Sequence, residues 1–154
     1  MIVFGAMSGT STDGVDVAAI QIDPEHAGMR FLGVSSLGFS SSLRDDLLAL
    51  QQIPPKFPTG SDPISLLLQA RLQLTLLYTD ACMELLDLLG LEARDVRVVG
   101  AHGQTLRHRP ELGYTYQMLD GALLATRLGI DVVTDLRSKD VALGGQGAPL
   151  VPAF

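Results

Sequence analysis

Hydroxyl-bearing residues and glycines follow a short apolar run near the start of the chain. Residues 8–16 read SGTSTDGVD, in which Gly9 and Gly14 let other groups approach the backbone closely. Exposed amides together with hydroxyls suit phosphate oxygens, and the carboxylates of Asp13 and Asp16 suit a hydrated magnesium ion. The same residue types are also ordinary turn formers, so a polar hairpin turn without a ligand is the alternative.

A second polar cluster, residues 102–109, directly follows an apolar run. Within it His102 is either a hydrogen-bonded structural histidine or, with Gln104 and Thr105 beside it, a group that orients a ligand. No second His or Cys stands at metal-ligand spacing, so we do not expect zinc. Residues 107–109 read RHR and suit either a solvated loop or contact with a substrate carboxylate.

A third polar cluster lies at residues 135–140, after another apolar run. Asp135 closes that run, either as a capping residue or as a catalytic carboxylate. Arg137, Lys139 and Asp140 follow, and they suit either an ion-paired loop or the wall of a ligand site. All three clusters fall beyond the ends of predicted strands, which is where α/β sheets collect their ligands.

The apolar runs and the breakers around these clusters predict a mixed α/β domain. Three strands come first and strands then alternate with helices, in the coarse order β-β-β-α-β-α-β. This order predicts a mixed sheet of about five strands with helices on its faces. The predicted strands begin at Ile2 and Val15 and cover 30–39, 96–101 and 130–136, with a shorter extended piece at 114–118, and the predicted helices cover 43–52, 63–89 and 121–128.

Capping residues indicate where the predicted helices begin and end. The first helix is expected to carry Asp45 and Asp46 in its first turn, where they would complement the helix dipole. Serine and aspartate are favoured N-caps, and glycine is favoured just past the last turn. The predicted N-caps are a serine among residues 40–42, then Ser61 or Asp62, then Asp120, and the predicted stop residues are Gly90 and Gly129.

Composition limits the class of protein. At 154 residues, with 47% hydrophobic and 18% charged residues, the chain fits one globular domain. A net charge of −6 argues against nucleic acid or an anionic membrane as a partner, and the leucine-rich helix carries too many polar residues for a membrane span. The single Cys82 excludes an internal disulfide and reads as a small buried hydrophobe. We expect no signal peptide and a cytoplasmic location.

Three strands with a Gly/Ser/Thr loop between the first two, followed by helices and strands, resemble the ribonuclease H-like ATPase domain of sugar kinases, actin and Hsp70. Three motifs are more specific, and they resemble motifs of the 1,6-anhydro-N-acetylmuramic acid kinase family. They stand in the family's order, and the resemblance covers the chain from end to end. The motifs are MSGTSTDGVD at 7–16, HGQT and RHRP within 102–110, and DLR, DVA and GGQGAPLVP within 135–152.

The resemblance implies an enzyme that uses ATP and water to open the anhydro ring of a peptidoglycan fragment. Its product is N-acetylmuramic acid 6-phosphate, which is formed during cell-wall recycling. For the phosphates of ATP, the resemblance implies contact with Gly9, Thr10, Ser11, Thr12, Asp13, Gly14, Val15 and Asp16. For the sugar, it implies contact with His102, Gly103, Gln104, Thr105, Arg137 and Asp140.

The resemblance also bears on magnesium and on the catalytic base. Other kinases of the fold carry an aspartate near the start of the loop, where residues 6–7 of this chain read Ala-Met. The magnesium role then moves to Asp13 or Asp16, through water, or to a residue outside this chain. In the family, an aspartate in a DTGPG-like loop resembles the catalytic base, and this chain lacks that loop. The candidates for a base within the chain are Asp135 and Asp140.

Length is the largest departure from the family, whose chains are more than twice as long. We therefore expect residues 1–154 to form an N-terminal ATPase-type domain, the first half of a two-domain kinase, and to be inactive alone. Apolar surface that includes Leu150, Val151 and Phe154 is expected to promote homodimerisation or wider self-association. Two other functions stay open, an ATP-binding sensor or assembly module of the actin/Hsp70 type, and a structural domain that binds nothing.

Overall fold

The computed structural model describes residues 1–23, 25, 28–53, 57, 60 and 62–150. Along these residues three strands come first and two consecutive helices follow them. The elements are β1 (Ile2–Met7), β2 (Gly14–Asp23), β3 (Gly28–Gly38), α1 (Ser41–Gln51), α2 (Pro63–Leu89), β4 (Val96–Ala101), β5 (Gln104–Arg109), β6 (Tyr114–Met118), α3 (Gly121–Leu128), β7 (Val132–Val133) and α4 (Ser138–Ala142).

A five-stranded sheet in the order β3-β2-β1-β4-β7 forms the centre of the domain. β2 pairs antiparallel with both β1 and β3, whereas β4 pairs in parallel with both β1 and β7. The predicted mixed sheet of about five strands is confirmed. The predicted coarse order was incomplete, because it lacks one of the two consecutive helices and a separate antiparallel pair formed by β5 and β6.

The parallel strands bring the three polar clusters to one edge of the sheet. Because β4 pairs in parallel with β1 and β7, the carboxyl ends of these three strands lie side by side. The first loop, residues 8–13, follows β1, residues 102–103 follow β4, and residues 134–140 follow β7. The clusters therefore lie together at the strand ends, where ligands of α/β sheets collect.

The hydrophobic core lies between the sheet and the long helix α2. In the first part of β2 every second residue, namely Val15, Val17 and Ala19, is fully buried, as expected from the two-residue period of a strand. Leu74 and Cys82 meet them from α2, and burial raises the pKa of the Cys82 thiol to about 12. The prediction that Cys82 is a buried hydrophobe is confirmed. No helix within the described ranges is both long enough and apolar enough to cross a membrane.

The helix ends follow the predicted capping residues. The side chains of Ser40, Asp62 and Asp120 each accept a hydrogen bond from a backbone amide in the first turn of their helix. Gly90 and Gly129 adopt the left-handed conformation that ends α2 and α3. The predicted residues that lie outside the described ranges are Ser61, Val151 and Phe154.

Two predicted details were wrong. α1 begins at Ser41, so Asp45 and Asp46 lie beyond its first turn. The strand predicted over 130–136 is reduced to the two residues of β7. Past the end of β7 Asp135 takes a left-handed backbone conformation, with φ of 56°, and the short helix α4 follows.

Candidate active-site loops

The first loop turns tightly, with the Gly9 carbonyl facing into the protein. Its oxygen accepts a hydrogen bond from the backbone N–H of Thr12 at 3.2 Å, and Thr12 is fully buried. Thr10 and Ser11 are exposed at the tip. No described residue accepts a hydrogen bond from the backbone N–H groups of residues 9–11. The loop thus presents consecutive unpaired amides, an arrangement that suits anions.

Two buried side chains hold the first loop from the core side. Gln104 Nε2, at the start of β5, donates to the same Gly9 carbonyl oxygen at 3.0 Å. The hydroxyl of Tyr78, from α2, donates to Ser8 Oγ at 3.0 Å, and burial raises the pKa of Tyr78, so this hydroxyl keeps its proton. The sequence patterns do not point to Tyr78. Its only signal is that it is the sole aromatic residue of a leucine-rich helix.

The aspartates beside the first loop differ in their surroundings. Ser11 Oγ donates to Asp13 Oδ1 at 2.9 Å. This bond is the main reason why the pKa of the exposed Asp13 carboxyl is lowered, and hydrogen bonds from nearby backbone amides add to the effect. Ser36 Oγ donates to Asp16 Oδ1 at 2.5 Å, while Asp16 Oδ2 has no hydrogen-bond partner among the described residues. Because Mg²⁺ at phosphate sites uses one or two carboxylates plus water and phosphate oxygens, the open oxygen of Asp16 fits such an ion.

The side chain of Val15, between these aspartates, is fully buried in the core. Only its backbone is left for a contact with phosphate. Within the described part of the chain, no three His, Cys, Asp or Glu side chains are grouped so that they could hold a metal ion. A magnesium ion at Asp16 would therefore need phosphate oxygens or water to complete its shell.

His102, just after β4, contacts the third polar cluster. Its Nε2 accepts a hydrogen bond from Arg137 Nε at 2.8 Å, and its Nδ1 lies 2.8 Å from the carbonyl oxygen of Gly103. Because an arginine only donates, Nε2 carries no proton and Nδ1 donates to the carbonyl. Burial lowers the pKa of His102 below its usual 6.5. The hydrogen bond to Gly103 raises this pKa and the charge of Arg137 lowers it, and the net shift is downward. The imidazole is therefore neutral at pH 7 and held in one tautomer.

Two side chains of the third polar cluster bind the backbone of the glycine-rich segment that follows α4. Arg137 Nη1 donates to the carbonyl oxygen of Gly147 at 2.6 Å, and Asp140 Oδ2 accepts from the Gly147 backbone N–H at 2.7 Å. Asp135 is exposed and accepts a hydrogen bond from the Ser138 hydroxyl. Both candidate catalytic carboxylates thus make local hydrogen bonds, and a catalytic role for either stays a prediction.

A groove of about 630 Å³ lies on the sheet face opposite the core. Asp16, His102 and Arg137 line it, one from each polar cluster. The remaining lining is mostly apolar and includes Leu150, which is half-buried rather than exposed as predicted. The other residues assigned to the sugar or to catalysis lie outside this lining, namely Gly103, Gln104, Thr105, Asp135 and Asp140.

The two arginines of the positive run at residues 107–109 contact other parts of this chain. The Arg107 guanidinium donates to the carbonyl oxygens of residues 50–52, at 2.8, 3.3 and 3.1 Å, just at the end of α1. Cations are favourable there because the last carbonyls of a helix lack partners within the helix. Arg109 forms an ion pair with Glu111. Arg107 is therefore a structural residue that closes α1.

The sheet order and the first loop define the class of protein. An antiparallel β3-β2-β1 meander continued by parallel β4 and β7, with helices packed on the sheet, is the architecture of the ATPase-type domain of sugar kinases. The sequence model of the anhydro-N-acetylmuramic acid kinase family matches residues 1–154. The chain belongs to this family.

Curated relatives agree with the family match. Proteins named anhydro-N-acetylmuramic acid kinase from Burkholderia pseudomallei (strain K96243) and Burkholderia mallei are each 50% identical to this chain over 155 residues. The protein of the same name from Burkholderia ambifaria is 48% identical over 153 residues. Each match covers 99% of this chain but only 38% of the relative. The chain thus spans well under half the length of these relatives.

Proposed function

We propose that this chain is the N-terminal, ATP-binding domain of a longer two-domain kinase that opens 1,6-anhydro-N-acetylmuramic acid and phosphorylates it. Family membership supports the proposal, since the relatives that cover this chain are named for this activity. The observation that carries it is the first loop. Its unpaired amides at residues 9–11 are fixed in place before any ligand arrives, and such amides suit the phosphates of ATP.

The proposed reaction sets clear demands on the residues. The anhydro sugar has no free hydroxyl at carbon 6, so water attacks carbon 1 as the bridging oxygen leaves that carbon and takes the γ-phosphoryl group of ATP. The products are the 6-phosphate and ADP, and a base accepts the proton of the water. In this chain the amides of residues 9–11 would bind phosphate. Asp16, with Asp13 nearby, would hold Mg²⁺ through water, and the ion would neutralise charge on the phosphoryl oxygens.

The groove wall formed by His102 and Arg137 suits the sugar. Arg137 Nη2 has no hydrogen-bond partner in the described part of the chain, so it can donate to the lactyl carboxylate of the substrate. Neutral His102 holds the guanidinium in place. Asp135 and Asp140 make local hydrogen bonds, which supports a base outside this chain. We therefore propose that residues 1–154 bind both ligands weakly and do not turn them over.

The same proposal includes a location and an assembly state. The use of ATP and a buried, free Cys82 thiol support a cytoplasmic location. The apolar lining of the groove, with Leu136 and Leu150 beside Arg137, supports self-association of this chain when it is studied alone.

An NMR titration of the ¹⁵N-labelled chain tests the proposal. We expect Mg-ATP to shift the amide signals of Thr10 and Ser11, and the anhydro sugar to shift those of His102 and Arg137. In Gly9→Val, a side chain would crowd the tip of the loop, since even its Cβ would lie 3.2 Å from Ser11 Oγ. ATP binding should weaken about 10- to 100-fold, the worth of one lost hydrogen bond to a charged group.

A matched control is Gly28→Val, at the start of the edge strand β3. Among the described residues a Cβ there meets only Asp23, at 3.9 Å, so ATP binding should not change. A response to ATP without a response to the sugar would favour a sensor or assembly module, and no response to either would favour a structural domain. Equal ATP affinity in Gly9→Val and the unmodified chain would rule out the first loop as the phosphate site.

A further inference from the structure

The conformation of the first loop depends on two side chains that are themselves out of reach of solvent. Gln104 and Tyr78 are both fully buried, yet each ends in a hydrogen bond to the loop. We propose that Gln104 and Tyr78 are positioning residues that hold the first loop in its phosphate-binding conformation from the core side. This inference rests on the proposed function of the loop, and it gives Gln104 a role different from the sugar contact predicted from the sequence.

The hydrogen bond to Gly9 determines where the next amide points. A trans peptide is planar, so the carbonyl of Gly9 and the N–H of Thr10 point in opposite directions. The Gly9 carbonyl is held inward by Gln104 Nε2 at 3.0 Å and by the Thr12 backbone N–H at 3.2 Å. The Thr10 N–H is therefore directed outward. Without the Gln104 donor, the carbonyl would gain by rotating towards water, and the Thr10 N–H would turn inward.

Tyr78 fixes the residue before this peptide. Its hydroxyl donates to Ser8 Oγ at 3.0 Å, and Ser8 is itself buried at the end of β1. The two anchors come from different elements, α2 and β5, and lie 70 and 95 residues from their partners in the sequence. Two attachments on adjacent residues leave the Gly9–Thr10 peptide little freedom to rotate. The loop is thus preorganised by the core, which lowers the ordering cost of binding phosphate.

The surroundings of Gln104 separate this role from a general role in stability. Its Oε1 is buried and has no hydrogen-bond partner among the described residues, which disfavours the folded state. Methionine has a similar length and would remove both this unpaired acceptor and the donor to Gly9. We therefore expect Gln104→Met to leave the melting temperature nearly unchanged while it frees the Gly9–Thr10 peptide.

The test is an NMR titration of the ¹⁵N-labelled chain with magnesium tripolyphosphate. In Gln104→Met we expect shifted Thr10 and Ser11 amide signals before any ligand is added, and about fivefold weaker tripolyphosphate binding, the worth of one neutral hydrogen bond. Gln117→Met is the matched control. Gln117 also has a buried Oε1 without a described partner, but its Nε2 donates to Thr115 Oγ1 at 2.7 Å in the separate β5–β6 sheet. Binding by this control should not change.

The possible outcomes separate this inference from the proposed function. If tripolyphosphate shifts the loop amides of the unmodified chain and of Gln104→Met with equal affinity, the positioning role is wrong and the phosphate site stands. Equal weakening in Gln104→Met and Gln117→Met also overturns it. No shift in the unmodified chain overturns the phosphate site and this inference together. If Gln104→Met does not fold, Tyr78→Phe decides, since it keeps the packed ring, and unchanged affinity there overturns the proposal.

Discussion

Acidification is expected to loosen the contact between β4 and the third polar cluster. His102 accepts a hydrogen bond from Arg137 Nε at 2.8 Å, and it can accept only while its Nε2 is unprotonated. Protonation of His102 on acidification would replace this bond by two cations facing each other. Arg137 also holds the carbonyl of Gly147, so its displacement would free the glycine-rich segment that lines the groove. The measurable consequence is a pH-dependent melting temperature.

The sign of the effect follows from the pKa shift of His102. Its pKa in the folded chain is lower than the usual 6.5, mainly because of burial. The stability that this group contributes is therefore fully present above about pH 6.5, and it is lost as the pH falls through the folded pKa. A hydrogen bond to a charged group contributes about 1.5–3 kcal/mol, and the lower end applies because Arg137 is partly exposed. For a chain of this length about 1.5 kcal/mol lowers the melting temperature by about 3–6 °C.

Thermal unfolding followed by circular dichroism between about pH 7.5 and pH 5 provides the assay. The matched variant is His102→Gln, whose amide can still accept from Arg137 and donate to the Gly103 carbonyl but does not titrate. Its melting temperature should stay level across this range. The exposed carboxyls of Asp13 and Glu111 have lowered pKa values and so titrate below the window. The same loss of melting temperature in both proteins, or no loss in either, would refute this account of His102.

Two further substitutions test how the loops are held. Gly14→Ala should lower the melting temperature by about 2–12 °C, because its Cβ would collide with the carbonyl oxygen of Leu37 and overpacking of this kind costs about 1–3 kcal/mol. Gly5→Ala is the control. A Cβ there meets no described residue within 4 Å, so its melting temperature should not fall. Asp140→Ala should speed amide hydrogen exchange at Gly147 about tenfold or more, because it removes the acceptor of that N–H. A melting temperature for Gly14→Ala equal to that of Gly5→Ala, or unchanged exchange at Gly147, would contradict the respective contact.

Local sequence signals were sufficient for the features that depend on local physics. Ser40, Asp62 and Asp120 cap their helices because their short side chains reach amides two or three residues ahead. Gly90 and Gly129 end α2 and α3 because glycine enters the left-handed region without a steric penalty. The central sheet followed from apolar runs bounded by turn residues, and such runs can be read without knowing their partners.

The contacts that assemble the candidate site could not be read this way. β5 was missed because QTLRHR lacks a clear apolar alternation and because the strand is defined by its pairing with β6. Gln104 looks like a polar loop residue, and only the fold shows that its amide is buried against Gly9, 95 residues away. Arg107 belongs to a positive run typical of ligand contact, yet its partners are the carbonyls at the end of α1. Each of these pairings joins segments that are remote in sequence, so no local pattern encodes it.

Residues 102–104 link the two loops that the proposed reaction needs. His102 contacts the third polar cluster through Arg137, while Gln104, two residues later, contacts the first loop through Gly9. Gly103 separates the two side chains with φ of 75°, and a Cβ there would lie 2.7 Å from the Met118 carbonyl oxygen. Only glycine fits this position without strain. Because one short segment sets the position of both the first loop and the groove wall, a shift at residues 102–104 would disturb both together. This is a physical reason for the three motifs to occur together in one chain.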